Sequence, residues 1–304
     1  RFGFELTIFR FALQFWDSDL NSRADGGASA WRTNQVYIAH FAVTDADRER
    51  FYVAQKYSRG ALGLAGAQAE PFRVWIDDWY ISADDSGDWR LQAEAPEFAI
   101  NVTLAARKPA VLNGVDGLSQ KSAEPGNASY YYSVTRWQTD GELRIGDDFF
   151  PVSGLSWLDR EWSSSALGDD QQGWDWFALQ LDDDTELMFY NIRKHDGSQD
   201  PNSAGTFVAA DGSASYVNRK AVGIEVTDTW DSPDGGRYPS GWLLELPSRG
   251  LQLRVTPVMR NQELSTTVRY WEGAVDVSGT KHGTPVRGRG YVELTGYAEG
   301  DAGE

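Results

Sequence analysis

The sequence predicts an all-β protein built from antiparallel strands. Aromatic residues are frequent, with 13 Trp, 13 Tyr and 14 Phe, and they occur in short runs together with β-branched residues. Gly, Asp and Asn separate these runs at intervals of roughly 8–12 residues, a spacing typical of a sandwich or an up-and-down barrel. No long amphipathic helical pattern interrupts them, so we expect only a few short helices.

The 304-residue length favours two domains over one. Two barrels of about 150 residues each fit this length, with an N-terminal barrel over residues 1–151 and a C-terminal barrel over residues 152–304. The alternative is one large sheet structure, which would need a larger single core than chains of this size usually build.

Strands are predicted in order along the chain, because apolar and polar residues alternate within each run. The first spans residues 2–15, and a polar loop at 17–30 separates it from the second at 35–43. The further predicted strands lie at residues 72–81, 89–95, 98–105, 130–138, 142–145, 205–209, 215–217, 222–230, 241–246, 251–257, 266–277 and 288–297. The pairs Asp140-Gly141 and Asp211-Gly212 are strong hairpin signals between the strands that flank them.

Composition excludes several classes of partner. The net charge of −17 argues against binding to nucleic acid, whose phosphates require Lys and Arg, and against an anionic membrane surface. No run of about 18 apolar residues exists, so we predict no integral membrane segment. The sequence contains no cysteine and therefore no disulfide framework or thiol nucleophile. We expect a monomer.

Residues 154–193 combine aromatic and charged side chains, which is the composition of a small-molecule pocket. We predict that they bind a hydrophobic, isoprenoid- or lipid-like molecule within or between the barrels. The candidate ligand-binding residues in this stretch are Trp157, Arg160, Trp162, Trp174, Asp175, Trp176 and Arg193.

Asp159 and Glu161 are the candidate catalytic carboxylates. In an extended strand they share one face with Trp157 and lie about 7 Å apart. Burial of two like charges at that separation raises one pKa, which creates an acid able to protonate a substrate. The alternative is a salt-bridged rim involving Arg160 or a nearby Lys.

Tyr190 is a third catalytic candidate, since its hydroxyl could donate a proton or hold a water molecule. A tyrosine in a half-apolar strand is otherwise a core residue whose hydroxyl is hydrogen bonded. His40 and Glu5 occupy neighbouring strands and could form an acid–base dyad within a barrel. The alternative is a structural, hydrogen-bonded histidine.

We expect neither a metal nor a cofactor. The three histidines, His40, His195 and His282, have no second His or Cys at a ligand spacing. The sequence has no phosphate-binding Gly loop. Gly154-Leu155-Ser156-Trp157-Leu158 lacks the second glycine of a nucleophile elbow, so serine-hydrolase chemistry has no support.

Several motifs resemble the AttH-like relatives of carotenoid 1,2-hydratase, which are often labelled secreted hydrolases. In order along essentially the whole chain, these motifs are FGFELTIFR, AHFAVTD, SRGALGLAGA, NASYYYSVTR, WLDREWSS, GWDWFALQLDDDTELMFYNIR, YWEGAV and GYVELTGY. The resemblance implies two lipocalin-like (calycin) antiparallel β-barrels in tandem, with a hydrophobic ligand between them. It also implies a periplasmic or secreted location, and a hydratase, hydrolase or cyclase activity without a cofactor. The alternative is a non-catalytic lipocalin-like carrier or envelope protein.

Two departures from the family pattern bear on this implication. Family members carry a Trp-Trp-Tyr strand before the FGFELT run, so we expect the first strand of the N-terminal barrel to precede residue 1. If Trp162 matches the tryptophan of the hydratase motif, the histidine two residues before it in the hydratases corresponds to Arg160 here. An arginine cannot shuttle protons near neutral pH.

Overall fold

The structure, a computed structural model, describes residues 1–13, 33–124, 126–163 and 167–298. The loop predicted at 17–30 and the end of the first predicted strand lie outside this range. The described residues form antiparallel strands and two 3-10 turns, at Arg219–Ala221 and Pro247–Arg249. The all-β prediction with few short helices is confirmed.

The N-terminal half contains two sheets. The first has the order β1-β2-β3, with β1 (Phe2–Ala12), β2 (Gln35–Asp45) and β3 (Arg50–Arg59). The strands of the second are β4 (Ala65–Gln68), β5 (Arg73–Ile76), β6 (Trp79–Ala83), β7 (Trp89–Glu94), β8 (Phe98–Ala106), β9 (Val111–Leu112), β10 (Leu118–Gln120), β11 (Ala128–Ile145) and β12 (Asp148–Ser163). The order of this second sheet is β10-β11-β8-β7-β6-β5-β4, and both β12 and β9 also pair with β11.

The C-terminal half is one curled sheet of ten strands. These are β13 (Gln171–Leu181), β14 (Glu186–Lys194), β15 (Ala204–Val208), β16 (Ala214–Asn218), β17 (Gly223–Ser232), β18 (Gly236–Leu246), β19 (Leu251–Pro257), β20 (Glu263–Ser265), β21 (Arg269–Lys281) and β22 (Thr284–Leu294). Their order is β16-β15-β14-β13-β22-β21-β19-β18-β17, and β20 pairs with β21.

Each half has its own aromatic core. In the N-terminal half, Phe41 packs on Trp79 and Phe98, with ring centroids 5.6 Å and 4.6 Å away. In the C-terminal half, Trp242 packs on Phe177 at 5.5 Å. Because each such side chain stabilises the fold by about 2–3 kcal/mol when fully buried, these clusters fix the inner face of each sheet.

The two hairpin predictions have different outcomes. Asp211-Gly212 lies in the turn between β15 and β16, as predicted. The prediction for Asp140-Gly141 is wrong, because both residues lie inside the 18-residue strand β11. A Cβ on Gly141 would lie 2.3 Å from the Asn101 carbonyl oxygen, so this glycine permits close pairing with β8 rather than a turn.

The change from one sheet to the next falls between Ser163 and Gln171. Strand β12 pairs with β11 along its length, and Phe150, Val152 and Leu158 pack against the N-terminal core. The division at 151/152 stays a prediction about domains. The strand pairing places residues 154–163 in the N-terminal half, whereas the rest of the aromatic stretch begins the C-terminal half.

A buried charge cluster joins the two halves. A bulge in β11 between Val134 and Trp137 interrupts the register at Arg136, whose Nε lies 2.6 Å from Glu186 Oε1. Lys108 Nζ lies 2.8 Å from the other oxygen of the same carboxylate, and the Glu186 side chain has no exposed surface. Two cations of the N-terminal half thus hold one anion of the C-terminal half.

Candidate functional site

A cavity of about 2130 Å³ lies between the two halves. One wall is the inner face of the N-terminal sheet, including Val102, Trp137 and Leu143. The other wall is the face of the C-terminal sheet that points away from its own core, including Trp176 and Ala178. Strand β12 runs along the edge of this space and pairs only with β11 among the described strands.

Strand β12 presents Asp159 and Glu161 on one face, as the alternation predicts. Asp159 lies opposite Ser133 in the β11 register, and Ser133 Oγ donates a hydrogen bond to Asp159 Oδ1. Ser129 Oγ donates to Glu161 Oε1 in the same way, and the Nζ of Lys121 lies 3.0 Å from that oxygen. Glu161 therefore takes part in an ion pair, whereas no ion pair of Asp159 occurs among the described residues.

Asp159 is the carboxyl suited to donate a proton. Burial raises its pKa to about 6, because the charged form loses its hydration. Ser133, Trp157 and Tyr131 favour the carboxylate and oppose this shift, and the nearby charge of Glu161 adds to it. A carboxyl with this pKa is partly protonated near neutral pH, as a general acid must be.

Aromatic side chains lie around Asp159 in the cavity wall. Tyr131, Tyr190 and Ile192 form a buried cluster against which Trp157 and Trp176 pack. Trp176 Nε1 donates to Tyr131 Oη at 3.1 Å. The Tyr190 hydroxyl is hydrogen bonded to Ser119 Oγ at 2.7 Å, so the third catalytic candidate lies in the cavity wall but also has a structural partner.

Lys121 connects these groups. Its Nζ lies 4.1 Å from the centroid of the Tyr190 ring and 5.1 Å from that of Tyr131, in addition to its ion pair with Glu161. The cation pairs with Glu161, whereas Asp159 has no ion-pair partner among the described residues. The two carboxyl groups of one strand thus have different environments and can take different roles.

A second group of acids lines the cavity beside β1. Glu5 is buried, and desolvation raises its pKa to about 8, with Thr7 opposing the shift. Burial also raises the pKa of Glu293 to about 7 and that of Glu272 well above its usual range. Trp174 Nε1 donates to Glu293 Oε1 at 3.0 Å. Glu5 and Trp174, both predicted to bind the ligand, line this cavity.

His40 and Glu5 do not form a directly hydrogen-bonded dyad. His40 Nδ1 lies 2.6 Å from Tyr270 Oη, and its Nε2 lies 2.8 Å from Gln55 Nε2. Burial lowers the pKa of His40 to about 4, so the ring is neutral at physiological pH. This is the structural alternative for His40, although the ring still borders the cavity.

Four of the predicted ligand-binding residues lie outside the apolar interior of the cavity: Asp175, Arg193, Arg160 and Trp162. Asp175 and Arg193 form a buried ion pair at 3.0 Å, and the Tyr297 hydroxyl donates to the same Asp175 oxygen. This cluster lies on the face of β13 opposite Trp174 and Trp176, because adjacent side chains point to opposite faces. The placement does not support ligand binding by Asp175 or Arg193.

Arg160 and Trp162 point to the other side of β12 from Asp159. Both are exposed at the rim of the cavity, where the Arg160 guanidinium lies 5.4 Å from the Phe72 ring centroid and 5.7 Å from that of Trp162. Among the described residues, no hydrogen bond or ion pair joins either residue to Asp159 or Glu161. Arg160 therefore lies on the face of β12 opposite the two candidate carboxyls.

Sequence reasoning missed several residues of the cavity wall. Lys121 and Tyr131 line the cavity, and the fully buried Ser133 is the hydrogen-bond partner of Asp159. These residues come from β11 and the segment before it, and no local pattern marks them. Glu272 and Glu293 had a detectable signal, since each is the only charged residue in its motif, YWEGAV or GYVELTGY.

Two kinds of feature are absent from the residues that the structure describes. No group of three or more His, Cys, Asp or Glu side chains is arranged to hold a metal ion in the part of the chain that the structure describes. No helix among those residues is long and apolar enough to cross a membrane.

Comparison with known proteins supports the fold. The sequence profile of the AttH-like family matches residues 1–297. The crystal structure of an AttH candidate from Nitrosomonas europaea superposes with a TM-score of 0.83 at 33% identity, covering 98% of this chain and 88% of that one. The prediction of two lipocalin-like antiparallel halves in tandem is confirmed.

Two kievitone hydratases are more distant relatives. That of Fusarium solani subsp. phaseoli is 22% identical over 228 residues, which cover 70% of this chain. The match spans 61% of the length of that curated relative. The structure of kievitone hydratase from Nectria haematococca has a TM-score of 0.67 at 17% identity, covering 87% of this chain and 80% of that one, and shows likeness of fold alone.

Proposed function

The chain belongs to the AttH-like family, and from that premise we propose that it adds water to a carbon–carbon double bond of an apolar small molecule. The observation that carries the proposal is the position of Asp159, a half-buried carboxyl whose pKa desolvation raises to about 6, in the wall of a large aromatic cavity. A relative named as a hydratase supports the reaction class.

Asp159 is the proton donor in this proposal. Its protonated carboxyl transfers the proton to one carbon of the double bond, whose π electrons form the new C–H bond, and the other carbon becomes a carbocation. Asp159 is left as a carboxylate, which Ser133 stabilises by its hydrogen bond.

Aromatic rings and the ion-paired carboxylate complete the reaction. The π faces of Trp157, Trp176 and Tyr131 are suited to stabilise the cation, as aromatic rings attract positive charge. A water molecule then attacks the cation, and Glu161 accepts the proton that this water loses. Glu161 is suited to this role because it is ion-paired with Lys121 and its side chain is 41% exposed to solvent.

The test is incubation of the purified protein with acyclic isoprenoid alkenes and unsaturated lipids in heavy-oxygen water. We expect a product that has gained one labelled water, detected by mass spectrometry. Asp159→Asn should abolish its formation, whereas the exposed Asp85→Asn control should retain it. A Tyr190→Phe variant separates a catalytic from a structural tyrosine, since only a catalytic hydroxyl changes turnover without changing stability.

The second candidate is a carrier without catalysis. The size and apolar lining of the cavity favour it, since sequestration needs only these features. Ligands extracted from the native protein and identified by mass spectrometry would support binding. Binding of an alkene without water addition, together with unchanged binding by Asp159→Asn, would favour the carrier over the hydratase.

A further inference from the structure

Three carboxyl oxygens beside the cavity have no regular hydrogen-bond partner among the described residues. They are both oxygens of Glu5 and the Oε2 of Glu272, and the Tyr291 hydroxyl beside them also has none. The Glu5 and Glu272 residues are only 8% and 7% exposed. Buried polar atoms without partners are costly, and each in a native protein requires an explanation.

These residues converge because β1 packs across β21. Gly3 approaches Ala274 so closely that a Cβ on Gly3 would lie 2.6 Å from the Ala274 Cβ. Glu5 shares the face of Gly3, and Glu272 shares the face of Ala274, since both pairs are two residues apart in a strand. Burial and then the nearby charge of Glu5 raise the pKa of Glu272, in agreement with this juxtaposition.

A third acid stands directly across the sheet. Glu272 lies opposite Glu293 in the β21–β22 register, so their Cβ atoms are about 5 Å apart and ionisation of one opposes ionisation of the other. No Lys or Arg forms an ion pair with Glu5, Glu272 or Glu293 in the described ranges. Any negative charge on Glu5, Glu272 and Glu293, here called the acid triad, is therefore uncompensated by a cation of the described residues.

Other charged and titratable groups around the triad do not supply the missing cation. His40, packed beside Tyr270, is neutral. Asp159 and Glu161 add negative charge toward Glu293, and Lys121, which acts on Glu293, is already paired with Glu161. A positive charge from outside the chain would relieve the repulsion.

We propose that the acid triad binds the protonated primary amine of a small molecule whose apolar part lies in the cavity. A primary ammonium has three N–H donors and no acceptor, which matches three partnerless carboxyl oxygens. The neighbouring rings of Tyr270, Tyr291 and Trp174 suit a cation as well. This inference rests on the ligand-binding part of the proposed function and adds the chemical class of the ligand.

The test compares n-decylamine with 1-decanol, which has the same chain but a neutral head, by calorimetric titration of the full chain at neutral pH. We expect the amine to bind about tenfold more tightly or better, equivalent to ~1.4 kcal/mol. Glu272→Gln should remove this preference while leaving decanol affinity unchanged. The exposed Glu142→Gln variant is the matched control and should keep the preference.

Equal affinity for the two probes, or no binding of the amine, would overturn the inference. So would an amine preference that Glu272→Gln and Glu142→Gln reduce equally. Glu5→Gln provides a second variant if Glu272→Gln does not fold, as judged by near-UV circular dichroism. Water addition to uncharged alkenes is measured separately, so the hydratase proposal can fail while the amine preference stands, and the reverse.

Discussion

Ser133 lies directly opposite Asp159 on adjacent antiparallel strands and donates a hydrogen bond to its carboxylate. The hydroxyl favours the charged form of Asp159, whereas burial favours the neutral form and has the larger effect. The pKa of about 6 is the balance of the two. Ser133 therefore controls how readily Asp159 gives up its proton.

Hydration activity should fall as the pH rises through about 6, because the proposed donor must be protonated. The measurement is the pH dependence of kcat/KM. Asp159→Asn should lower kcat by roughly 10²–10⁴-fold, the usual contribution of a general acid. A flat profile across this range would argue against Asp159 as the donor.

Ser133→Ala should move the fall of kcat/KM with rising pH to a higher pH. Loss of the hydroxyl removes a hydrogen bond to the carboxylate, which raises the pKa of Asp159 further. Ser86→Ala, in an exposed turn on the N-terminal half, should leave the profile unchanged. A fall that moves to lower pH would contradict the assigned direction of the hydrogen bond.

Glu5→Gln should stabilise the protein at alkaline pH. The folded-state pKa of about 8 lies above the usual 4.5, so the folded state binds a proton that the unfolded state releases in this window. The stabilising effect of that proton is fully present below the unfolded-state pKa of 4.5. It is lost as the pH rises through the folded-state pKa of about 8. At about pH 9 the variant should exceed the wild type by roughly 2–4 kcal/mol in free energy of unfolding.

The corresponding difference at about pH 4 should be close to zero, since Glu5 is then protonated in both states. Urea unfolding at the two pH values measures both effects. Glu142→Gln should show no such pH dependence, because that side chain is exposed. An equal gain at both pH values would indicate a packing effect instead of ionisation.

Lys108→Met should destabilise the junction between the halves by about 3–5 kcal/mol, because it leaves Glu186 buried with one partner fewer. Lys108 Nζ also donates to the carbonyl oxygens of Asp184 and Ala209. Lys281→Met breaks a half-buried pair with Asp183 and should cost under about 1 kcal/mol. Similar losses in urea unfolding would show that Lys108 is not a special contact.

Gly3→Ala should destabilise the contact between β1 and β21 by roughly 1–3 kcal/mol, since the added methyl group overlaps Ala274. Ala274→Gly should recover most of this loss in the double variant. A double-mutant cycle of unfolding free energies measures the coupling. Additive losses would mean that the two residues do not limit the approach of the strands.

Much of the fold and part of the site follow from local patterns. Alternating side chains in residues 157–161 suffice to place Asp159 and Glu161 on one face, because a strand has a period of two. The same rule places Met188, Tyr190 and Ile192 together on β14, where they form one buried cluster. The motifs quoted from the chain also predict the tandem lipocalin-like architecture.

Local patterns failed where a long-range partner decided the outcome. Asp140-Gly141 continues a strand because β8 and β12 pair on either side of it. Asp175 and Arg193 have the composition of a ligand site, but each compensates the charge of the other. They do so on the face of the sheet opposite Trp174 and Trp176. A sequence pattern does not reveal which face will meet the cavity.

The sequence by itself therefore determines the all-β class, the strand faces and the candidate carboxyls of β12. Only the tertiary structure decides that Lys121 pairs with Glu161, that Ser133 meets Asp159, and that β1 packs on β21 at Gly3 and Ala274. The physical reason is that periodicity acts over a few residues, whereas burial and charge coupling depend on strands that are distant in the chain and adjacent in space.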